Sequence, residues 1–237
     1  MLNRLMRGMF FVLINLLSRP NIEGRENLPK SGAYLIVSNH MSMVDIPMGL
    51  TFFGRRDLKA WVAAKWSSHP LLAPIVHMSG GIFIVRGKVD RSALQEAINW
   101  LKSGRPFVLA PEGTRSRQGT LQRGKTGAAY LAAEANVPVI PTGFIGTDEA
   151  MRTLFRRFRR PRITLRIGKP FMLPPLDGNS QAASLRKNTD ELMCRIAVLL
   201  PRRYWGHYAD HPRLQELLEQ EKGGSPAAED TGSLDTP

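Results

Sequence analysis

A chain of 237 residues, 43% hydrophobic and 22% charged, has the composition of a globular protein and is long enough for one α/β domain with a sizeable core. Its net charge of +13 is unusual and predicts an anionic partner: nucleic acid, acidic lipid headgroups or a phosphorylated substrate. A single cysteine excludes an internal disulfide; Cys194 lies in an apolar-periodic helix with no metal or redox motif beside it and reads as core in a reducing compartment.

The N-terminal segment, residues 1–19, has two early arginines followed by a dense apolar run. Spanning a bilayer takes about 20 apolar residues, and the run is too short for that. It also lacks a signal-peptide cleavage site. The segment reads as an interfacial helix lying on a membrane, with a core-packing helix as the alternative. Residues 20–32, mixing prolines, glycines and charges, read as a connector. Residues 34–37 form a short apolar run of strand type, and the chain then turns polar at Asn39 and His40. Pro47 is tolerated only in the first turn of a helix, so the next helix starts between Ser42 and Ile46. Further strands are expected at 58–64, 82–85, 107–110, 137–141 and 163–167. The prolines at 138 and 141 suggest a strand end or an edge. Helical patterns cover 70–78, 91–103, 127–135, 149–160 and 185–200. The helix at 149–160 is basic and amphipathic, with Met151, Leu154, Phe155 and Phe158 on one stripe and arginines around it. Beyond Gly206 the chain turns polar, and from Gly223 it has the composition of a disordered tail. These boundaries give an interfacial helix at 1–19, a single domain at 20–205 and a polar tail at 206–237. Strands alternating with helices predict an α/β domain: a largely parallel central sheet flanked by helices, preceded by the N-terminal apolar membrane-associating helix.

Three polar clusters each follow an apolar strand: Asn39-His40, Arg86 and Glu112-Gly113-Thr114-Arg115. In a parallel sheet such positions share the carboxyl-end rim, where ligands bind. Asp45, at the mouth of the helix after His40, is placed to fold back onto the imidazole. A carboxylate there would fix the tautomer of a general base; Asp45 or Ser42 could instead simply cap the helix. Arg86 and Arg115 offer planar forks for a phosphate or carboxylate, or are ordinary surface arginines. Lys65 is a weaker version of the same. Glu112 could orient an arginine or hold the loop, and Gly113 could let backbone N–H groups approach a ligand or merely permit the turn. The scattered histidines have no metal-ligand spacing, and there is no Gly-x-Ser-x-Gly elbow.

Asn39-His40-Met41-Ser42-Met43-Val44-Asp45 resembles the His-x4-Asp block of the 1-acyl-glycerol-3-phosphate acyltransferase (PlsC-like) family of glycerolipid acyltransferases. Gly81-Ile82-Phe83-Ile84-Val85-Arg86 resembles the family's Phe-x-x-Arg block, Pro111-Glu112-Gly113-Thr114-Arg115-Ser116 its Glu-Gly-Thr-Arg block, and Val137-Pro138-Val139-Ile140-Pro141 its apolar run closed by proline. All four occur in the family's order. The resemblance implies an acyltransferase that moves a fatty acyl group from acyl-CoA or acyl-carrier protein to the sn-2 hydroxyl of lysophosphatidic acid, giving phosphatidic acid. It implies His40 and Asp45 as catalytic pair, and Arg86, Glu112, Gly113, Thr114 and Arg115, assisted by Lys65, as substrate-binding residues. No metal and no cofactor is expected, since the acyl donor is a substrate. The partners implied are an anionic membrane surface, a lysophospholipid and the donor, with no nucleic acid, at the cytoplasmic face of the membrane. Another acceptor, such as lyso-ornithine lipid or glycerol-3-phosphate, and a non-catalytic lipid-binding module are the competing readings. The N-terminal segment and the basic helix are the expected membrane contacts.

Overall fold

The apolar runs pair into one sheet in a computed structural model that describes residues 2–70, 72–78, 80–85 and 90–223. Helix α1 (Leu2–Leu17) and strand β1 (Arg19–Glu23) come first, then β2 (Leu35–Ser38), α2 (Asp45–Phe52) and β3 (Lys59–Ala63). α3 (Leu72–Met78), β4 (Gly81–Ile84), α4 (Arg91–Lys102), β5 (Phe107–Leu109) and α5 (Gly127–Ala135) follow. The order ends with β6 (Val139–Ile145), α6 (Ala150–Arg157), β7 (Arg162–Ile167), α7 (Gln181–Val198) and α8 (Pro212–Gly223).

The strands lie in the order β1-β7-β6-β2-β5-β3-β4. β6, β2, β5, β3 and β4 run parallel, so the loops that follow them meet on one rim. β7 runs antiparallel to β6 and carries β1 parallel to itself at the sheet edge. Alternate residues of β2 face opposite sides. Leu35 and Val37 enter a core with buried residues of α4, α5, α7 and α8, while Tyr34 and Ile36 enter a second core with Ile14 of α1 and Met48 and Phe52 of α2. This is the expected α/β architecture, a largely parallel sheet with helices on both faces.

Three local expectations are corrected. Residues 19–23, read as part of the N-terminal segment and a connector, form β1, whose ladder to β7 includes Pro20 opposite Ile163. Proline is tolerated because β1 has a neighbour on one side only. Pro141, in contrast, lies inside β6 rather than at an edge: it faces Val37 of β2, and the β7 ladder begins one residue later at Thr142. The domain does not stop at 205. Tyr208, Leu214 and Leu217 are buried in the larger core, and α8 packs on α7. Residues 224–237, expected to be disordered, lie outside the described residues.

α1 buries Met6 and Ile14 and leaves Leu5, Met9, Val12 and Leu16 exposed. One edge of this helix therefore packs on the domain, and most of its remaining surface is exposed and apolar. Among the described residues no helix is long and apolar enough to cross a membrane.

Candidate active site

β2 is buried along its whole length, and its end delivers Asn39 and His40 to the rim. Asn39 is itself buried and pairs with a peptide of β6: its Nδ2 donates to Phe144 O at 2.9 Å, and Phe144 N donates to its Oδ1 at 2.7 Å. This clip continues the sheet past the last ladder pair and sets where His40 sits. The His40 Nδ1 lies 2.9 Å from Asp45 Oδ2. A carboxylate only accepts, so Nδ1 carries the proton and Nε2 is left as the basic nitrogen.

Asp45 opens α2 but does not cap it; α2 has no side-chain cap bond. Its Oδ2 turns back and accepts from Met41 N and Ser42 N, both at 2.8 Å. One oxygen thus closes the loop and holds the imidazole. Ser42 accepts from Val44 N at 3.3 Å, so its hydroxyl shapes the turn before the helix.

Glu112 is 2% exposed. Its Oε1 accepts from His40 N at 3.1 Å, and its Oε2 from Gln122 N at 3.0 Å. Ser116 N donates to His40 O at 2.8 Å, so both sides of the His40 peptide are held by the loop after β5. Burial pushes the Glu112 carboxyl up to about 7, with the charge of Asp45 acting in the same direction and the bonds from Gln122 and His40 opposing. Both oxygens are engaged inside the protein, so Glu112 braces the two loops and does not face the ligand space. The expectation that it binds substrate directly is corrected to the other reading of this residue, holding the loop.

A cavity of about 460 Å³ opens beside the pair, within the range of about 300–1,000 Å³ usual for small-molecule sites. His40, Asp45, Lys65, Gly113, Thr114 and Arg115 line it, together with apolar side chains that include Phe10 of α1, Ile46 and Leu50 of α2, Trp61 and Phe144. Six of the eight expected site residues are therefore gathered around one space. Glu112 stands behind it, and Arg86 lies outside the described residues. Among the described residues, no group of three or more His, Cys, Asp or Glu is placed to hold a metal ion.

Two features of the site are not legible in the motifs. Gly113 has φ 71°, and a Cβ there would lie 3.1 Å from both Cδ and Nζ of Lys125. The glycine thus provides both the left-handed turn and the seat for a lysine. Lys125 is itself anchored through its backbone, N to Pro111 O at 2.8 Å. The preceding Gly124 donates to the Tyr208 hydroxyl at 3.0 Å, and its carbonyl accepts from Arg186 at 2.8 Å. Further along, Leu121 N and His207 N cross-bond with Tyr204 O and Leu121 O at 2.8 and 3.0 Å. The loop from Glu112 to Lys125 thus rests on residues 204–208. Gly124 directly before Lys125 is the only local hint of this.

Comparison with known proteins bears on the same region. The chain is 30% identical over 189 residues to the 1-acyl-sn-glycerol-3-phosphate acyltransferase of Saccharomyces cerevisiae, covering 73% of this chain and 58% of that one. It is 34% identical over 141 residues to the chloroplastic 1-acyl-sn-glycerol-3-phosphate acyltransferase LPAT1 of Arabidopsis thaliana, covering 56% and 38%. The chain spans less than two thirds of the length of these curated relatives. The crystal structure of the 1-acyl-sn-glycerophosphate (LPA) acyltransferase PlsC from Thermotoga maritima is similar in fold, with a TM-score of 0.61, 29% identity and coverage of 80% of this chain and 76% of that chain. The model of the Acyltransferase family matches residues 19–145, more than half of the chain and the part that holds β1 to β6, His40, Asp45 and the Glu112 loop. On that match the chain belongs to the Acyltransferase family.

Proposed function

We propose that this protein transfers a fatty acyl group from a thioester donor, acyl-CoA or acyl-carrier protein, to the sn-2 hydroxyl of 1-acyl-glycerol-3-phosphate, giving phosphatidic acid. The observation that carries the reading is the His40–Asp45 pair opening onto a largely apolar cavity with Lys65 and Arg115 on its wall. The names of the relatives support the choice of acceptor.

In this mechanism His40 Nε2 takes the proton of the acceptor hydroxyl as the oxygen attacks the thioester carbonyl. Asp45 holds the tautomer and stabilises the imidazolium. The tetrahedral adduct collapses, the C–S bond breaks, and the leaving thiolate takes the proton from His40. Arg115 and Lys65 hold the acceptor phosphate, and Lys125, laid against Gly113, adds a third cation. Arg86 belongs to the same set by its place in the sequence. Glu112 is a positioning residue that keeps the His40 peptide in place. The exposed apolar side of α1 rests on an anionic membrane, and Phe10 brings that helix to the cavity wall, which gives a lipid tail a route between the two.

The test is to incubate purified protein with acyl-CoA or acyl-carrier protein and a panel of lysolipids, beside His40→Ala. Transfer to lysophosphatidic acid is expected from the wild type, with His40→Ala lower in kcat by about 10²–10⁴-fold. Full activity in the variant would sink the mechanism. Transfer only to lyso-ornithine lipid or glycerol-3-phosphate would replace the acceptor, and no transfer with either donor would favour a lipid-binding module.

A further inference from the structure

α6 and the turn that ends it carry features that packing within this chain leaves unexplained. Met151, Phe155 and Phe158 are 52%, 64% and 92% exposed, so a stripe spaced like a core-facing one stays in solvent. Ala150 is the only residue of this helix that is buried. Phe158 also has a left-handed backbone, with φ 48°. Its N–H bonds to Thr153 O, and Arg159 N reaches the same oxygen at 3.4 Å, which closes the helix with a turn that glycine ordinarily supplies. The other non-glycine residue of positive φ among those described is Asn136, which ends α5, and asparagine is common there. A bulky aromatic in that conformation is an outlier. A strained residue whose ring gains no burial points to a partner outside the chain.

The charges indicate which partner. Arg152 pairs with Glu149 at 2.8 Å, whereas among the described residues Arg156, Arg157 and Arg159 make no ion pair. Arg160 turns the other way: its Nη2 donates to the carbonyls of Asn15 and Ser18. That ties the end of α6 to the end of α1, where Leu13, Leu16 and Leu17 are exposed. The two apolar surfaces are thereby held side by side, with unpaired arginines at the margin. Aromatic and aliphatic side chains flanked by arginine are the pattern of a surface that enters a bilayer interface.

We propose that Phe158, with Phe155 and Met151, is a wedge that inserts into the interfacial layer of an anionic bilayer while Arg156, Arg157 and Arg159 take lipid phosphates. Arg160 locks this wedge to α1, so that the two contacts seat together. The inference rests on the reading that the chain works on lipid at a membrane surface. Beyond the expectation that the basic helix meets a membrane, it names the side chains that insert and the arginine that fixes their orientation.

The experiment is co-sedimentation of the full chain with vesicles of phosphatidylcholine alone, or with about one third phosphatidylglycerol. It compares wild type, Phe158→Gly, and the triple variant Arg156→Gln, Arg157→Gln, Arg159→Gln. Glycine suits the left-handed turn, so Phe158→Gly is expected to melt at or above the wild-type temperature while its affinity for anionic vesicles falls about tenfold. The triple variant is expected to lose the preference for phosphatidylglycerol and to retain weak binding through α1. Unchanged vesicle affinity in Phe158→Gly overturns the proposal, and a lower melting temperature would mark the ring as a packing residue and overturn it too. Vesicle binding that survives the triple variant in full, while binding to acidic acyl-carrier protein is lost, would assign the surface to a protein. Acyl transfer to detergent-dispersed lysophosphatidic acid needs no bilayer and is expected to be unchanged in both variants. A wild type that binds vesicles in this pattern but transfers nothing would therefore count against the proposed function alone.

Discussion

At the scale of the residue, the site depends on carboxylates given different tasks by their surroundings. Asp45 holds the His40 imidazole and two loop amides with one oxygen, whereas Glu112 is sunk beneath the loops. Burial raises the Glu112 carboxyl from 4.5 to about 7. A carboxyl raised in the folded state favours folding below its unfolded value, and that contribution is lost as pH rises through the folded value. Glu112 thus holds its full stabilising effect below about pH 4.5 and loses it by about pH 7, a change on the order of 3 kcal/mol. Denaturant titrations of wild type and Glu112→Gln from pH 4.5 to 7.5 should show the wild type losing stability relative to the variant as pH rises; a constant difference would contradict the buried ionisation. Gly113 makes a second prediction. Alanine there strains the backbone by about 1–2 kcal/mol and displaces the Lys125 side chain that lies 3.1 Å from the added carbon. On the proposed function, Gly113→Ala should raise the apparent KM for lysophosphatidic acid severalfold, and an unchanged KM would remove Lys125 from the proposed phosphate site.

At the scale of the element, helices α1 and α5 show how far local pattern carries. The small-residue run at 127–135 was expected as a helix and is one, with Asn136 ending it in a left-handed turn. Its alanines let it pack closely in the larger core. α1 was expected as an apolar helix and is one, but which of its sides faces the domain was not legible in a run apolar on nearly all sides. Contact with α2 and the second core decides that, by burying Met6 and Ile14. Deleting the helix would therefore uncover the core, and exposed positions make the cleaner test. Replacing Leu5, Val12 and Leu16 with serine should weaken flotation with liposomes at least tenfold and leave the melting temperature within a few degrees. Unchanged flotation would rule out this helix as an anchor.

At the scale of the whole molecule, the segment after Gly206 supports the loop that carries Gly113 and Lys125. Its polar composition reads as a tail, yet Tyr208 and Leu214 are almost fully buried, as is Tyr204 just before it, and the two tyrosine hydroxyls accept from Gly124 N and Gly146 N. Few apolar residues suffice when each is wholly enclosed. Leu214→Ala should cost about 2–5 kcal/mol in a denaturant titration; a loss below about 1 kcal/mol would show that α8 is peripheral. β1 makes the complementary case. Its sequence, Arg-Pro-Asn-Ile-Glu, has little strand character, and pairing with β7 together with the Arg166–Glu23 ion pair overrides the local preference.

The sequence by itself determined the buried strands, their alternation with helices and the chemical types set at their ends. Apolar periodicity records which positions leave water, and His40, Asp45, Gly113 and Arg115 lie in short stretches whose spacing already implies the rim they share. Tertiary structure decided what lies between distant residues: Glu112 bonding at once to His40 and Gln122, Lys125 resting on Gly113, and the C-terminal residues supporting the loop that carries both. Those partners are chosen by where the parallel sheet brings its loops together, and no local pattern in the chain encodes that distance.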